Sequence, residues 1–204
     1  MPNENAPLYG LVLCGGESTR MKQEKGLLVT GGKTWALRTA DLLAPFVRNV
    51  WLSIRNNQEE EYRVVIPEAS FIADEDHPQL FGPLTGLISA NRQFPGADWL
   101  VLACDLPALT SRTLQQLPEA LRQNPGYDAY AFFHPQSGQF EPLVAIYCQS
   151  FLHKVCELLK TSAEPAPGLQ KLLRLHKTFS LPVDTELLQE LTNANDPQTA
   201  RPWL

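Results

Sequence analysis

The chain has 204 residues, 44% hydrophobic and 19% charged, a balance that excludes a disordered chain and can fill the core of one domain. Its formal net charge of -5 excludes broad nucleic-acid binding, which needs a basic footprint, yet permits a local cationic pocket for a small anionic substrate. The opening Met-Pro-Asn-Glu-Asn-Ala-Pro has no basic region or apolar run, and no stretch reaches the roughly 18 uninterrupted apolar residues of a membrane span. Neither a signal peptide nor a membrane segment is therefore expected.

Residues 8–14 form an apolar run that reads as a buried strand, closed by Gly15 and Gly16. After a polar loop, Trp35, Leu37, Ala40, Leu42 and Leu43 recur at helical spacing and predict a helix over 34–47. Short apolar runs predict strands at 50–54 and 71–73, the second ending at Asp74. Gly82-Pro83 opens a predicted helix over 83–92, with proline in its first turn and Leu84, Leu87 and Ile88 on one face. The run 99–104 is the clearest buried strand, and Asp105 stands at its C-terminal end. Ser111 is the expected N-cap of a helix carrying Leu114, Leu117 and Leu121. Strands at 129–133 and 143–147, joined by a turn containing Ser137-Gly138, precede helices at 151–159 and 169–175 and a last strand at 178–183.

Apolar strands alternating with helices predict an α/β sandwich on a mostly parallel sheet, as a single domain over 1–204 without repeats or a linker. In such sheets ligands collect at the C-terminal ends of the strands, near a topological switch point. The loop after the first strand and Asp105 both fall there, although they are far apart in sequence. Cys14, Cys104, Cys148 and Cys156 show no CxxC spacing, and His77, His134, His153 and His176 show no HExxH spacing. Free thiols in a reducing cytoplasm are expected, and a zinc site is not.

The segment Leu13-Cys14-Gly15-Gly16-Glu17-Ser18-Thr19-Arg20-Met21-Lys22-Gln23-Glu24-Lys25 carries the most chemistry. Paired glycines after a strand let backbone N–H groups approach phosphate oxygens. Ser18 and Thr19 add hydroxyl donors, and Arg20, Lys22 and Lys25 add the positive charge that a triphosphate needs. The same composition also fits a solvated surface loop, and Lys25 taken alone reads as an exposed lysine whose loss would leave the fold intact. A GxGxxG fingerprint is absent. Gly32-Lys33-Thr34 resembles the end of a P-loop, but Leu27 occupies the place of its first glycine, and Gly31-Gly32 reads better as a turn.

Taken together, the strand, Leu13, Gly15-Gly16, Ser18, Arg20-Met21 and the nearby lysine resemble the signature loop of the molybdenum cofactor guanylyltransferases. Gly82-Pro83-Leu84-Thr85-Gly86 resembles that family's Gly-Pro-Leu-Ala-Gly segment, and Cys104-Asp105-Leu106-Pro107 its Cys-Asp-x-Pro element. Glu141-Pro142-Leu143 and Asn193-Ala194-Asn195-Asp196-Pro197 match weaker late motifs, so the resemblance spans nearly the whole chain. Three positions depart from the pattern: Cys14 stands for alanine, Lys22 for glycine and Glu24 for aspartate.

The resemblance implies a three-layer α/β/α sandwich with a Rossmann-like sheet of the nucleotide-diphospho-sugar transferase type. It implies transfer of GMP from GTP to molybdopterin with release of pyrophosphate, with Mg²⁺ as cofactor, and it leaves room for a protein that delivers molybdopterin. Leu13, Gly15, Gly16, Ser18, Arg20 and Lys25 would contact the nucleotide. Asp105 would hold Mg²⁺, Asp74 would fix the base or ribose, and Gly86 would let the backbone approach the nucleotide. Arg20, Lys25 and Asp105 would carry catalysis, and Asn193 and Asn195 would line the pterin side. Read from residue type alone, Asp105 could instead cap the following helix, Asp74 could lie in a solvated acidic turn, and Glu141-Pro142-Leu143 could be a strand entrance. The competing functions are a transferase using CTP or acting on a sugar phosphate, a nucleotide-binding regulator disabled at Lys22, and a P-loop ATPase dependent on Lys33.

Overall fold

The computed structural model describes residues 6–15 and 24–194, together with Ala200 and Trp203. The chain runs through β1 (Leu8–Leu13), β2 (Val29–Thr30), β3 (Lys33–Thr34), α1 (Trp35–Leu43), β4 (Val50–Arg55), α2 (Glu59–Val65) and β5 (Phe71–Asp74). It continues with α3 (Pro83–Gln93), β6 (Asp98–Ala103), α4 (Ser111–Gln123), β7 (Ala129–His134), β8 (Gln139–Tyr147), α5 (Gln149–Thr161), α6 (Leu169–Leu175), β9 (Thr178–Pro182) and α7 (Thr185–Glu190).

A seven-stranded sheet in the order β5-β4-β1-β6-β8-β7-β9 forms the centre. Only β8 runs against its neighbours, pairing antiparallel with both β6 and β7, so the sheet is mostly parallel, as predicted. Because successive strand side chains face opposite ways, each buried strand feeds two cores. Val12, Leu52, Ile54, Leu100, Leu102, Tyr130, Phe132 and Ile146 pack under α1, α2, α4 and α7. Leu11, Ile72, Trp99, Val101, Ala131, Ala145 and Tyr147 pack under α3, α5 and α6. Two covered faces explain why these strands read as continuous apolar runs rather than as alternating ones.

Local chemistry sets the ends of the elements. The predicted helix over 34–47 begins with Thr34 as N-cap, its side chain accepting from the Leu37 N–H at 3.4 Å. The α-helix stops at Leu43, and a 3₁₀ turn over Ala44–Phe46 follows, because Pro45 has no N–H to continue the ladder. Thr110, rather than Ser111, caps α4, accepting from the Thr113 N–H at 3.3 Å, while Ser111 is the first helical residue. Gly31 and Gly32, both at positive φ, turn the β2–β3 hairpin, and Lys33 pairs with Asp41 on the surface. This hairpin is the turn expected there, and it leaves Lys33 outside any phosphate cradle. β8 starts at Gln139, before the predicted apolar run. Pro142 cannot donate to a ladder, and the pairing of β7 with β8 shifts register between Ala131 and Phe133 to accommodate the irregular stretch.

Candidate active site

The four parallel strands β5, β4, β1 and β6 end level with one another. The register pairs Leu13 with Ser53 and with Ala103, and Arg55 with Asp74. The chain leaves β1 to one side of the sheet and returns as β6 on the other, so β1 and β6 flank the switch point where open α/β sheets bind ligands. A cleft of about 970 Å³ opens there. Leu13, Cys14, Gly15, Lys25, Ser53, Asp74, Gly86, Asp105 and Asn193 all line it. The structure thus gathers in one place Leu13, Gly15, Lys25, Asp74, Gly86 and Asp105 from the sequence-predicted set. Gly16, Ser18 and Arg20 of that set lie outside the described residues, as do Lys22 and Asn195.

At the floor of the cleft, Lys25 Nζ donates to Asp105 Oδ2 at 2.7 Å, and Asn193 Nδ2 donates to Asp105 Oδ1 at 2.8 Å. The Asp105 carbonyl also accepts from the Ala194 N–H at 2.9 Å, which anchors the late loop beside the carboxylate. The side chains of Lys25 and Asp105 are only 18% and 10% exposed. Lys25 is therefore not the surface lysine that it resembles in isolation, and its removal would leave a largely buried carboxylate short of a partner. Asp105 does not cap a helix, since Thr110 holds that place in the element that follows.

Towards the β5 edge, Ser53 Oγ donates to Asp74 Oδ1 at 2.7 Å. Asp74 is the last residue of β5 and half-buried, which distinguishes it from a solvated acidic turn. Burial pushes its carboxyl up to about 6 from an ordinary 3.8, against the opposing pull of the Ser53 hydrogen bond and the Arg55 charge. Gly15 and Gly86 both face this carboxylate. A Cβ on Gly15 would lie 2.7 Å from Asp74 Oδ2, and one on Gly86 would collide with Ser53 Oγ. The absent side chain at Gly86 thus lets α3 close against Ser53 and Asp74.

The raised Asp74 value has a consequence for stability. The folded chain holds this proton more tightly than the unfolded chain, so the contribution is complete below about pH 4 and is lost as the pH rises through 6. Asp74→Asn, which has no charge to bury, is expected to exceed the parent protein in stability by roughly 3 kcal/mol at pH 8, given ~1.4 kcal/mol per pKa unit. The difference should shrink towards zero near pH 4 in urea unfolding. Equal stability at pH 8 would mean that the buried carboxylate is not strained.

Glu24, one of the departures from the family pattern, is held away from the cleft floor. Its carboxylate accepts from Arg55 Nη2 at 3.2 Å and from Gln58 Nε2, while Gln58 Oε1 accepts from the Arg55 N–H at 2.8 Å. This brace ties Glu24, next to Lys25, to the turn after β4. Sequence reading missed Ser53, Arg55 and Gln58. Ser53 breaks an otherwise apolar run, which was the available signal; Arg55 and Gln58 had none. Cys14, Cys104 and Cys148 are free and buried and Cys156 is half-buried, matching the thiols expected. Glu141 lies within β8 and pairs with His134 across 3.6 Å. Burial raises its carboxyl, which the His134 interaction partly offsets.

A cleft of this volume at the switch point, with a lysine and a carboxylate on its floor and a polar end towards the β5 edge, is the arrangement of a nucleotidyltransferase. The fold agrees with solved structures. The molybdopterin-guanine dinucleotide biosynthesis protein A of Archaeoglobus fulgidus superposes with a TM-score of 0.74 at 23% identity, over 95% of both chains. A nucleotidyl transferase of Methanothermobacter does so at 0.71 and 16%, over 96% of this chain and 95% of that one. At these identities the likeness is one of fold. The chain belongs to the MobA-like NTP transferase domain family, whose profile matches residues 10–194.

Among curated relatives, a probable molybdenum cofactor guanylyltransferase of Synechococcus elongatus is 34% identical over 139 residues, covering 67% of this chain and 70% of that protein. A second of that description, from Pelotomaculum thermopropionicum, is 27% identical over 96% of this chain and 97% of its own. A molybdenum cofactor biosynthesis bifunctional protein of Synechocystis is 36% identical over 118 residues, and there the match spans 58% of this chain but only 33% of the relative.

Proposed function

We propose that the protein transfers GMP from GTP to molybdopterin with release of pyrophosphate. The observation that carries this reading is the convergence of Gly15, Lys25, Asp105 and Asn193 at the switch point, in a chain whose relatives include guanylyltransferases. A terminal phosphate of the acceptor attacks the α-phosphorus of GTP in line. The attacking phosphate is already ionised near neutral pH, so no general base is required, and positioning with charge stabilisation accounts for most of the catalysis. Lys25, together with Arg20 of the same loop, meets the charge that develops on the bridging oxygen and departing pyrophosphate. Asp74 fixes the base or ribose beside Gly86. We assign the phosphates to Leu13, Gly15, Gly16 and Ser18 and the acceptor to Asn193 and Asn195, with Gly16, Ser18 and Asn195 assigned by family resemblance alone.

The residues present fit a Mg²⁺ ion. Asp105 offers one carboxylate on the cleft floor, and each of its oxygens keeps an acceptor position beyond the one taken by Lys25 or Asn193. Among the described residues no group of three or more His, Cys, Asp and Glu forms a cage. Mg²⁺ is commonly held by one or two carboxylates, with substrate phosphates and water completing its shell. When bound it would offset phosphate repulsion and act as a Lewis acid. No helix among the described residues is long and apolar enough to cross a membrane. We place the reaction in the cytoplasm, where the free thiols stay reduced.

Calorimetric titration with GTP, CTP and ATP, each with Mg²⁺, tests the reading. Selective binding of GTP, followed by pyrophosphate release on adding molybdopterin, is the expected result. Preferential binding of CTP or ATP would replace the substrate named here, and GTP binding without pyrophosphate release would leave a regulator.

A further inference from the structure

We infer that Phe81 is the stacking platform for the nucleotide base, an inference that rests on the nucleotidyltransferase reading above. Among the described residues several large apolar side chains are exposed, including Val64, Leu175 and Leu188, but Phe81 is the one of them that lines the cleft. The residue is 64% exposed. It projects between two anchored neighbours: Leu80 and Leu84 are both buried in the core beneath α3. Gly82, at φ +58, turns the backbone between them, and Pro83 starts the helix.

The segment leading to Phe81 is pinned as well. The Gln79 carbonyl accepts from the Ala166 N–H at 2.9 Å, Gln79 Nε2 donates to the Glu164 carbonyl at 3.1 Å and to the Ser162 carbonyl, and the Leu80 N–H donates to the His77 carbonyl at 3.1 Å. A ring held out of the core by so fixed a backbone is preorganised, so covering it loses little conformational entropy. A flat aromatic face in a binding cleft offers stacking to a planar heterocycle.

The position of Phe81 selects the base over the acceptor's ring. The phosphates belong with Lys25 and Asp105 at the β1–β6 junction. Phe81 lies in the loop between β5 and α3, the side of the cleft that holds Ser53, Asp74, Asn56 and Asn57. The exposed amides of Asn56 and Asn57 supply donors and acceptors for a base edge at that end. Leu143 lines the cleft from β8, which neighbours β6 on the side away from β1, β4 and β5.

The test compares GTP with inorganic tripolyphosphate, which shares the phosphates and lacks the base, by calorimetry on the full chain with Mg²⁺. Phe81→Ala is expected to weaken GTP about tenfold or more, from the typical strength of base–aromatic stacking, with tripolyphosphate changed less than about twofold. Phe81→Trp is expected to restore GTP affinity, and Phe81→Leu is not. GTP affinity unchanged in Phe81→Ala, while the parent protein still binds GTP, would overturn the stacking role and leave the enzyme reading standing. An equal loss for tripolyphosphate would show that the ring shapes the loop instead. A raised KM for molybdopterin with GTP affinity intact would assign the ring to the acceptor and overturn the base assignment. Failure of the parent protein to bind any nucleotide would remove the enzyme reading and this inference together.

Discussion

Lys25→Ala is expected to lower turnover of GTP and molybdopterin by about two to three orders of magnitude, the usual result of removing a group aimed at developing charge. The effect has two sources that the structure allows to be separated. Lys25 Nζ sits 2.7 Å from Asp105 Oδ2 on the cleft floor, so the substitution also leaves that carboxylate held by Asn193 without its lysine partner. Breaking a largely buried pair by removing one partner costs about 3–5 kcal/mol, and a lower melting temperature is expected with the lower rate. Combining Lys25→Ala with Asp105→Asn removes the stranded charge. The double variant should recover most of the stability, which measures the structural share of the effect, while its turnover stays low because Asp105 is lost as well. The chemical share is read from turnover of Lys25→Ala well below its melting temperature, where the chain stays folded. Turnover unchanged in the single variant would sink the mechanism outright.

Asp105→Asn is expected to abolish Mg²⁺ stimulation of nucleotide binding and to reduce turnover by about 10²- to 10³-fold. Asparagine keeps the shape of the side chain and leaves the backbone bond from the Ala194 N–H to the residue 105 carbonyl in place, so the late loop should stay docked. It removes the negative charge that pairs with Lys25 and that would hold the proposed Mg²⁺. Calorimetry of GTP with and without Mg²⁺ separates the outcomes. Loss of the difference between the two conditions places the ion at Asp105. A difference as large as in the parent protein would show that the ion is held elsewhere, and Asp105 would then serve to position Lys25 and Asn193.

Most of the regular structure could be read locally. The apolar runs at β1, β4, β6 and β7 and the leucine spacing of α4, α5 and α6 are properties of short segments, as is the opening of α3 by Gly82-Pro83. Two helices escaped that reading. In α2 only Tyr62 is buried, and Val64 and Val65 face solvent, so no apolar stripe marks the helix. In α7 the buried residue is Leu187 alone, and the cap from Asp184 to the Leu187 N–H is the one local mark. Thr110 took the N-cap from its neighbour Ser111 for a similar reason. Both carry hydroxyls, and the choice depends on where the first turn packs.

The cleft divides along the same line. The amino-acid sequence by itself determined the alternation of strands and helices, the glycine-led loop with its cations, the acidic residues at the ends of β5 and β6, and the family to which the chain belongs. Only the tertiary structure decided which of these meet. Lys25 and Asp105 are 80 residues apart, Asp105 and Asn193 are 88 apart, and no periodicity links them. They converge because β1 and β6 are neighbours in the sheet while β4 and β5 separate them along the chain. The elevated Asp74 carboxyl, the close approach of α3 at Gly86 to Ser53 and Asp74, and the Glu24–Arg55–Gln58 brace likewise have no local signature. Each depends on burial and close approach at an edge that several strands build together, and such contacts exist only once the sheet has formed.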